Sequence, residues 1–167
     1  MQAAMLLLSI QLLEEEVRVG NYCVSGNQRR GCMPIVNWSD DYRVNVEQID
    51  AQHRELLELV NGLHAAVESC LGKDELREML ANLAEFTRHH FATEEELMKQ
   101  YDYPGLVEHH KEHRLLLSHL DELVAAVSSG QRPTFYSDYD VSTDWALLHI
   151  DEHDRDLGRF LNEKGVR

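Results

Sequence analysis

A chain of 167 residues points to one domain large enough for a hydrophobic core. Its 43% hydrophobic and 28% charged residues are ordinary soluble-protein composition. The formal net charge of −14 argues against nucleic acid and anionic lipid as partners, since both are held through basic patches.

Residues 1–32 differ from the rest. They contain no histidine, and Glu14, Glu15 and Glu16 are balanced by Arg18, Arg29 and Arg30, so the net negative charge belongs to residues 33–167. The apolar run from Ala3 to Leu13 has no basic residues before it and no cleavage-site pattern after it, which makes a poor secretory signal. Three readings stand for this stretch: a poorly ordered extension, a short docked helix, or a product of start-site choice, with Met33 as the alternative start. The domain proper is expected over 33–167.

Met33 to Gln48 has no helical period and carries Pro34, Trp38 and Tyr42, which reads as an extended arm laying aromatic rings on the domain. Asp50 is the expected N-cap of a first helix. From there Ile49, His53, Leu57, Val60, Leu63, Val67 and Leu71 step by three and four, an amphipathic helix of about 20 residues closed by Gly72. Asp74 is the expected cap of a second helix, with a seam of Leu76, Leu80, Leu83, Phe86, His90, Glu94, Leu97 and Tyr101. Tyr103-Pro104-Gly105 breaks the chain, with Pro104 suited to a first turn. A third seam reads Leu106, His109, His113, Leu116, Leu120, Leu123 and Val127, ended by Ser128-Ser129-Gly130. After a loop, Ser142 or Thr143 can cap a fourth helix with Trp145, His149, Ile150, Leu157, Phe160 and Leu161 facing inward. The fold class expected is all-α, an up-down-up-down antiparallel four-helix bundle with an N-terminal extended arm.

Cys23, Cys32 and Cys70 show no C-x-x-C spacing, so neither a disulfide framework nor a cysteine zinc site is indicated, and a reducing, cytoplasmic setting is expected. No apolar run approaches the 18 or so residues of a membrane span.

The chemistry lies in polar residues that occupy core positions of these seams. His90 and Glu94 are four apart on the second helix, His109 and His113 on the third, and His53 sits in the seam of the first. Residues four apart share one helix face, so each pair can aim two ligand atoms at one point. Buried without partners, such groups cost several kcal/mol each, on the order of what is lost with an unmade hydrogen bond. A bound cation would satisfy them together, and bundle cores are where such sites are built. On the fourth helix His149 faces inward, but the second ligand is open between His153, four on, and Asp154, five on. Five residues turn an ideal helix by about 140°, so spacing alone slightly favours His153. His64 is about 16 Å along the axis from His53 and reads as structural. His89, His110, His119 and His153 read as surface or supporting groups, and the Glu/Asp runs as solvated helix faces.

Five motifs then line up in order: M-P-x-x-x-W from Met33, I-D-x-Q-H ending at His53, H-F-x-x-E-E-x-L-M from His90, Y-P-x-L-x-x-H-x-x-x-H ending at His113, and H-I-x-x-x-D-x-x-L-G from His149. Over about residues 33–163 the chain resembles a single-domain bacterial hemerythrin. The resemblance implies Asp154, not His153, as the last ligand. It further implies two non-haem Fe ions, bridged by carboxylates and an oxo or hydroxo group, that bind O2 reversibly for transport, storage or delivery. His109, His113 and His149 would complete one iron; His53 and His90 would bind the other, leaving it an open position; Glu94 and Asp154 would bridge both. Trp145 and Ala146 would line the O2 pocket, and Ala146, where members commonly carry a bulky aliphatic, is expected to widen it and speed exchange. An O2 binder of this kind has no catalytic residues and is not an enzyme, with O2 as its partner and a monomer compatible with its length. The alternatives within the same family are peroxidase-like activity, O2 or redox sensing, and iron buffering. A ferritin-like oxidase would need E-x-x-H pairs, and no glutamate stands three residues before any of the ten histidines. A zinc hydrolase would want H-E-x-x-H, which is absent from the sequence.

Overall fold

The computed structural model describes residues 34–69, 71–131 and 144–167, with the backbone alone for 144–146. The readings placed on residues 1–32, on Met33, on the three cysteines, on Ser142 and Thr143, and on the side chains of Trp145 and Ala146 lie outside the described residues.

The described chain is helical and forms the expected four-helix antiparallel bundle. Helix α1 spans Glu47–Glu68, α2 Lys73–Gln100 and α3 Leu106–Ser129. The fourth helix comes in three pieces: α4 (Asp144–His149), one π-helical turn (Ile150–Asp154) and α5 (Arg155–Glu163). Helix α2 packs on both α1 and α3, as short connections between antiparallel neighbours require. Gly130 ends α3 with φ of 107°, the left-handed conformation that a glycine adopts without a Cβ penalty.

Both expected acidic caps are displaced. Helix α1 begins at Glu47, three residues before Asp50, and α2 begins at Lys73 after Gly72, with Asp74 inside its first turn. Asp50 is buried, and its Oδ1 accepts a 2.8 Å hydrogen bond from the Val44 N–H. The carboxylate therefore reaches back to the incoming arm instead of capping its own helix. Asn45, at φ 60°, makes the bend between the two.

The arm is extended apart from one 3-10 turn at Asp40–Tyr42. Its buried residues are Val36, Val44 and Val46, whereas Trp38 and Tyr42 are only half-buried. Trp38 lies under the Arg54 guanidinium, 4.4 Å from its ring centre. Asn61 of α1 exchanges two hydrogen bonds with the Val36 backbone, at 3.1 and 2.7 Å. At the other end Asn162 of α5 donates to the Val44 carbonyl at 2.8 Å. Gly158 allows this approach: a Cβ there would sit 2.6 Å from both the Val44 Cβ and its carbonyl oxygen.

Two apolar clusters fill the bundle. One joins Val60, Leu63 and Val67 of α1 to Leu76, Leu80 and Leu83 of α2 and Val127 of α3. The other joins Val44, Val46 and Ile49 to Met98, Leu157 and Leu161. Each fully buried Leu or Ile contributes about 1.5–3 kcal/mol. Between the two clusters along α1 and α2 lies a layer of buried polar groups, which forms the candidate site.

Candidate metal centre

Five imidazoles and two carboxylates converge in that layer, all buried to 5% exposure or less: His53, His90, Glu94, His109, His113, His149 and Asp154. Their ligand atoms fall into two overlapping groups. His109, His113 and His149 gather with Glu94 and Asp154, and His53 and His90 gather with the same two carboxylates; within each group the atoms lie within 4.8 Å of one another.

The carboxylates divide their oxygens between the groups. Asp154 Oδ1 lies 3.0 Å from His109 Nε2 and 3.2 Å from His149 Nε2, while its Oδ2 lies 3.2 Å from His53 Nε2. Glu94 Oε2 lies 3.0 Å from His113 Nε2 and 3.7 Å from His109 Nε2, while its Oε1 lies 3.7 Å from His90 Nε2. Each carboxylate thus turns one oxygen toward the three-imidazole group and the other toward the two-imidazole group. The four carboxylate oxygens and the Nε2 atoms of His53 and His113 make no hydrogen bond despite their burial. Lone pairs aimed at common points and not at hydrogen-bond donors suit a pair of cations, and a donor set of imidazoles and carboxylates suits iron.

The fourth helix is where the structure departs from ideal-helix reasoning. The Arg155 N–H bonds to the Ile150 carbonyl, five residues back. A π turn holds one more residue than an α turn, so residues five apart take up the relation that residues four apart have elsewhere. His149 and Asp154 therefore share one face. Asp154 is completely buried, while His153 is only partly so, and its ring packs 5.3 Å from that of His149 outside both ligand groups. The slight preference that spacing gave His153 is overturned by this one extra residue.

Electrostatics reflect the crowding. Burial pushes the Glu94 carboxyl well above its usual range, and the adjacent Asp154 adds to the shift. Asp154 goes the other way: burial works to raise it, but the imidazoles of His149, His109 and His53 around it hold it well below the usual carboxylate range. Of the two carboxyls, Glu94 is the one whose surroundings favour the protonated form. Burial lowers His90, helped by His53, and lowers His109 against the pull of Asp154. Burial, with His109 and His149, takes His113 down to about 2. These three imidazoles are neutral, the form that binds metal.

Supporting residues fix which nitrogen points inward. Thr93 donates its hydroxyl proton to the His89 carbonyl at 3.1 Å, so its oxygen accepts from Gln52 Nε2, also at 3.1 Å. The amide oxygen of Gln52 is then turned to His90, whose Nδ1 donates to it at 3.1 Å. His90 is left with its Nε2 lone pair facing the site. On α3, His113 Nδ1 donates to Glu95 Oε1 at 3.2 Å, and His110 Nδ1 donates to the same oxygen at 2.8 Å. Phe91 stacks on His113 with ring centres 3.8 Å apart and planes within 5° of parallel. Gln52, Phe91 and Glu95 fall within the sequence motifs, but spacing assigns them no role. Glu95, which the sequence places in a solvated run, turns instead toward α3. Glu94 and Glu95 are neighbours pointing about 100° apart, so one enters the core and the other flanks it.

An apolar cavity of about 390 Å³ reaches this layer, lined by Leu56, Leu57, Val60, Leu116 and Leu120 among others, with His90, His149 and Asp154 on its wall. His64 and His89 stand outside both ligand groups, as do His110 and His119.

Comparison with known proteins agrees with this arrangement. Residues 44–161 match the family model described as the hemerythrin HHE cation binding domain. A bacteriohemerythrin of Stenotrophomonas maltophilia is 30% identical over 99 residues, covering 59% of this chain and 64% of the relative. One of Pseudomonas aeruginosa is 32% identical over 96 residues, covering 56% and 61%. The matched stretch thus spans a little under two thirds of the length of these two relatives. A bacteriohemerythrin of Clostridium acetobutylicum is 25% identical over 123 residues, covering 71% of this chain and 95% of its own. Among solved structures, a hemerythrin point mutant superposes with a TM-score of 0.69 at 26% identity, covering 77% of this chain and 98% of that one.

Proposed function

The chain belongs to the hemerythrin family, and we propose that it binds O2 reversibly at a di-iron centre held by His53, His90, Glu94, His109, His113, His149 and Asp154. The observation that carries this reading is the division of oxygens: Glu94 and Asp154 each offer one oxygen to the three-imidazole group and the other to the two-imidazole group. Two irons there would supply the two electrons that O2 takes up on binding and returns on release.

The protein's own residues do the rest. The three-imidazole group offers five ligand residues and the two-imidazole group four, so the second position is the one with room for O2. His90, at that position, lines the apolar cavity, whose leucine and valine walls give water no hydrogen-bond partner and give a small apolar gas a path. Glu94, whose carboxyl burial pushes well above its usual range, must be ionised to face both positions, so metal uptake competes with its proton. The reading is of a binder, not an enzyme.

The test is optical. Ferrous-loaded protein is expected to develop a visible charge-transfer band on exposure to O2 and to lose it under argon over repeated cycles. Irreversible oxidation on first exposure, accompanied by turnover of added hydrogen peroxide, would overturn carriage in favour of a peroxidase-like role.

A further inference from the structure

The two proposed metal positions differ behind their ligands as well as in number. On the two-imidazole side, His90 Nδ1 faces the neutral amide of Gln52, and His53 Nδ1 makes no hydrogen bond. On the three-imidazole side, His113 Nδ1 faces the carboxylate of Glu95, while His109 Nδ1 makes none. Glu95 is itself held from two directions. His110 donates to the same Oε1 at 2.8 Å, and Lys99 Nζ stands 3.6 Å from Oε2. Its side chain is 18% exposed, low for a glutamate that follows another in a charged run.

We propose that Glu95 is a positioning residue that makes the two metal positions unequal: it locks His113 with Nδ1 protonated and Nε2 facing the site, and it sets a negative charge behind the three-imidazole position alone. The inference rests on the di-metal reading above. An ionised carboxylate can only accept, so it dictates the tautomer of the ring that donates to it. A hydrogen bond to an ionised acceptor is roughly twice as strong as one to a neutral acceptor, and it raises the basicity of the ring's other nitrogen. The Gln52 amide, whose orientation is fixed through Thr93, gives His90 the same tautomer without the charge. The three-imidazole position therefore holds its ion the more tightly, and the two-imidazole position is the more easily emptied.

Two variants separate charge from geometry. Glu95→Gln can keep an oxygen for His113 Nδ1 but removes the charge, and Glu95→Ala removes both. In anaerobic titrations of ferrous iron against a competing chelator, Glu95→Ala is expected to weaken one of the two ions by about 10–100-fold, with the other within about twofold. Glu95→Gln is expected to fall between it and wild type. In the metal-free protein, long-range ¹H–¹⁵N correlation spectra are expected to show the Nδ1–H form of His113 in wild type and in Glu95→Gln, and a tautomer mixture in Glu95→Ala. If Glu95 only ties α2 to α3, Glu95→Ala lowers the melting temperature but moves neither tautomer nor iron affinity, and the proposal is overturned. A wild-type chain that takes up fewer than two ferrous ions contradicts the di-metal reading itself; the tautomer spectra, which need no metal, still decide whether Glu95 orients His113.

Discussion

Metal-free protein should lose stability on mild acidification, by an amount set by which groups are buried. His90, His109 and His113 have folded pKa values depressed below the ordinary 6.5 or so. A depressed imidazole contributes stability above its unfolded pKa and loses it as pH falls toward the folded value, because only the unfolded chain takes the proton. Glu94 is raised, so its contribution is present at low pH and is lost as pH rises from about 4.5 toward the folded value. Between pH 6.5 and 5.5 the three imidazoles act in one direction and Glu94 in the other, while Asp154 is ionised in both states. His113, taken down to about 2, alone costs about 1 kcal/mol over that unit. His90 and His109 add to the loss and Glu94 offsets part of it, so the net is a loss on the order of 1 kcal/mol or more. Against a typical total of about 5–15 kcal/mol this is readily measured. Urea melts of the metal-free chain at pH 6.5 and 5.5 should show the midpoint falling with acid at constant m-value. In Glu94→Gln the opposing carboxyl is gone, so the loss over the same unit should grow, by at most about 1 kcal/mol. Stability that stays flat or rises on acidification would refute the burial of neutral imidazoles on which this reasoning depends.

Two glycines give opposite expectations. At Gly158 a Cβ would meet Val44 at 2.6 Å, so Gly158→Ala should push the arm off α5 and destabilise by about 1–3 kcal/mol. At Gly62, mid-α1, the nearest atom is the flexible Met79 Cε at 3.5 Å, so Gly62→Ala should stabilise by about 0.5–1 kcal/mol in the same thermal melts. Iron stoichiometry separates the two candidates on the fourth helix: His153→Ala should retain two ions per chain, whereas Asp154→Ala, which removes an oxygen from both positions, should retain fewer than two. Loss of iron in His153→Ala with retention in Asp154→Ala would reverse the assignment.

The first three helices and their pairs were legible because apolar residues and ligands share one 3.6-residue period: His90 with Glu94, and His109 with His113, fall in the same seams as the leucines around them. The last pair was not, because His149 and Asp154 are five apart and only the π turn brings them to one face. A spacing rule assumes a uniform helix, and the extra residue is a property of the backbone that the side-chain pattern does not announce. Motif resemblance named Asp154 where periodicity leaned to His153. Helix starts were displaced for a related reason. Asp50 resembles a cap in sequence, yet its carboxylate is claimed by the Val44 N–H of an arm that only the folded chain brings near. Glu95 shows the limit of reading charge runs as solvated. Of Glu94, Glu95 and Glu96, only the last is exposed, because the run passes across the core-facing edge of α2.

Whether two ions share Glu94 and Asp154 is decided most directly by iron-edge anomalous diffraction from crystals loaded anaerobically. Two anomalous peaks per chain are expected, one beside His53 and His90 and one among His109, His113 and His149, each in contact with an oxygen of both carboxylates. A single peak, or two peaks with either carboxylate bound to only one of them, would contradict the shared-carboxylate centre.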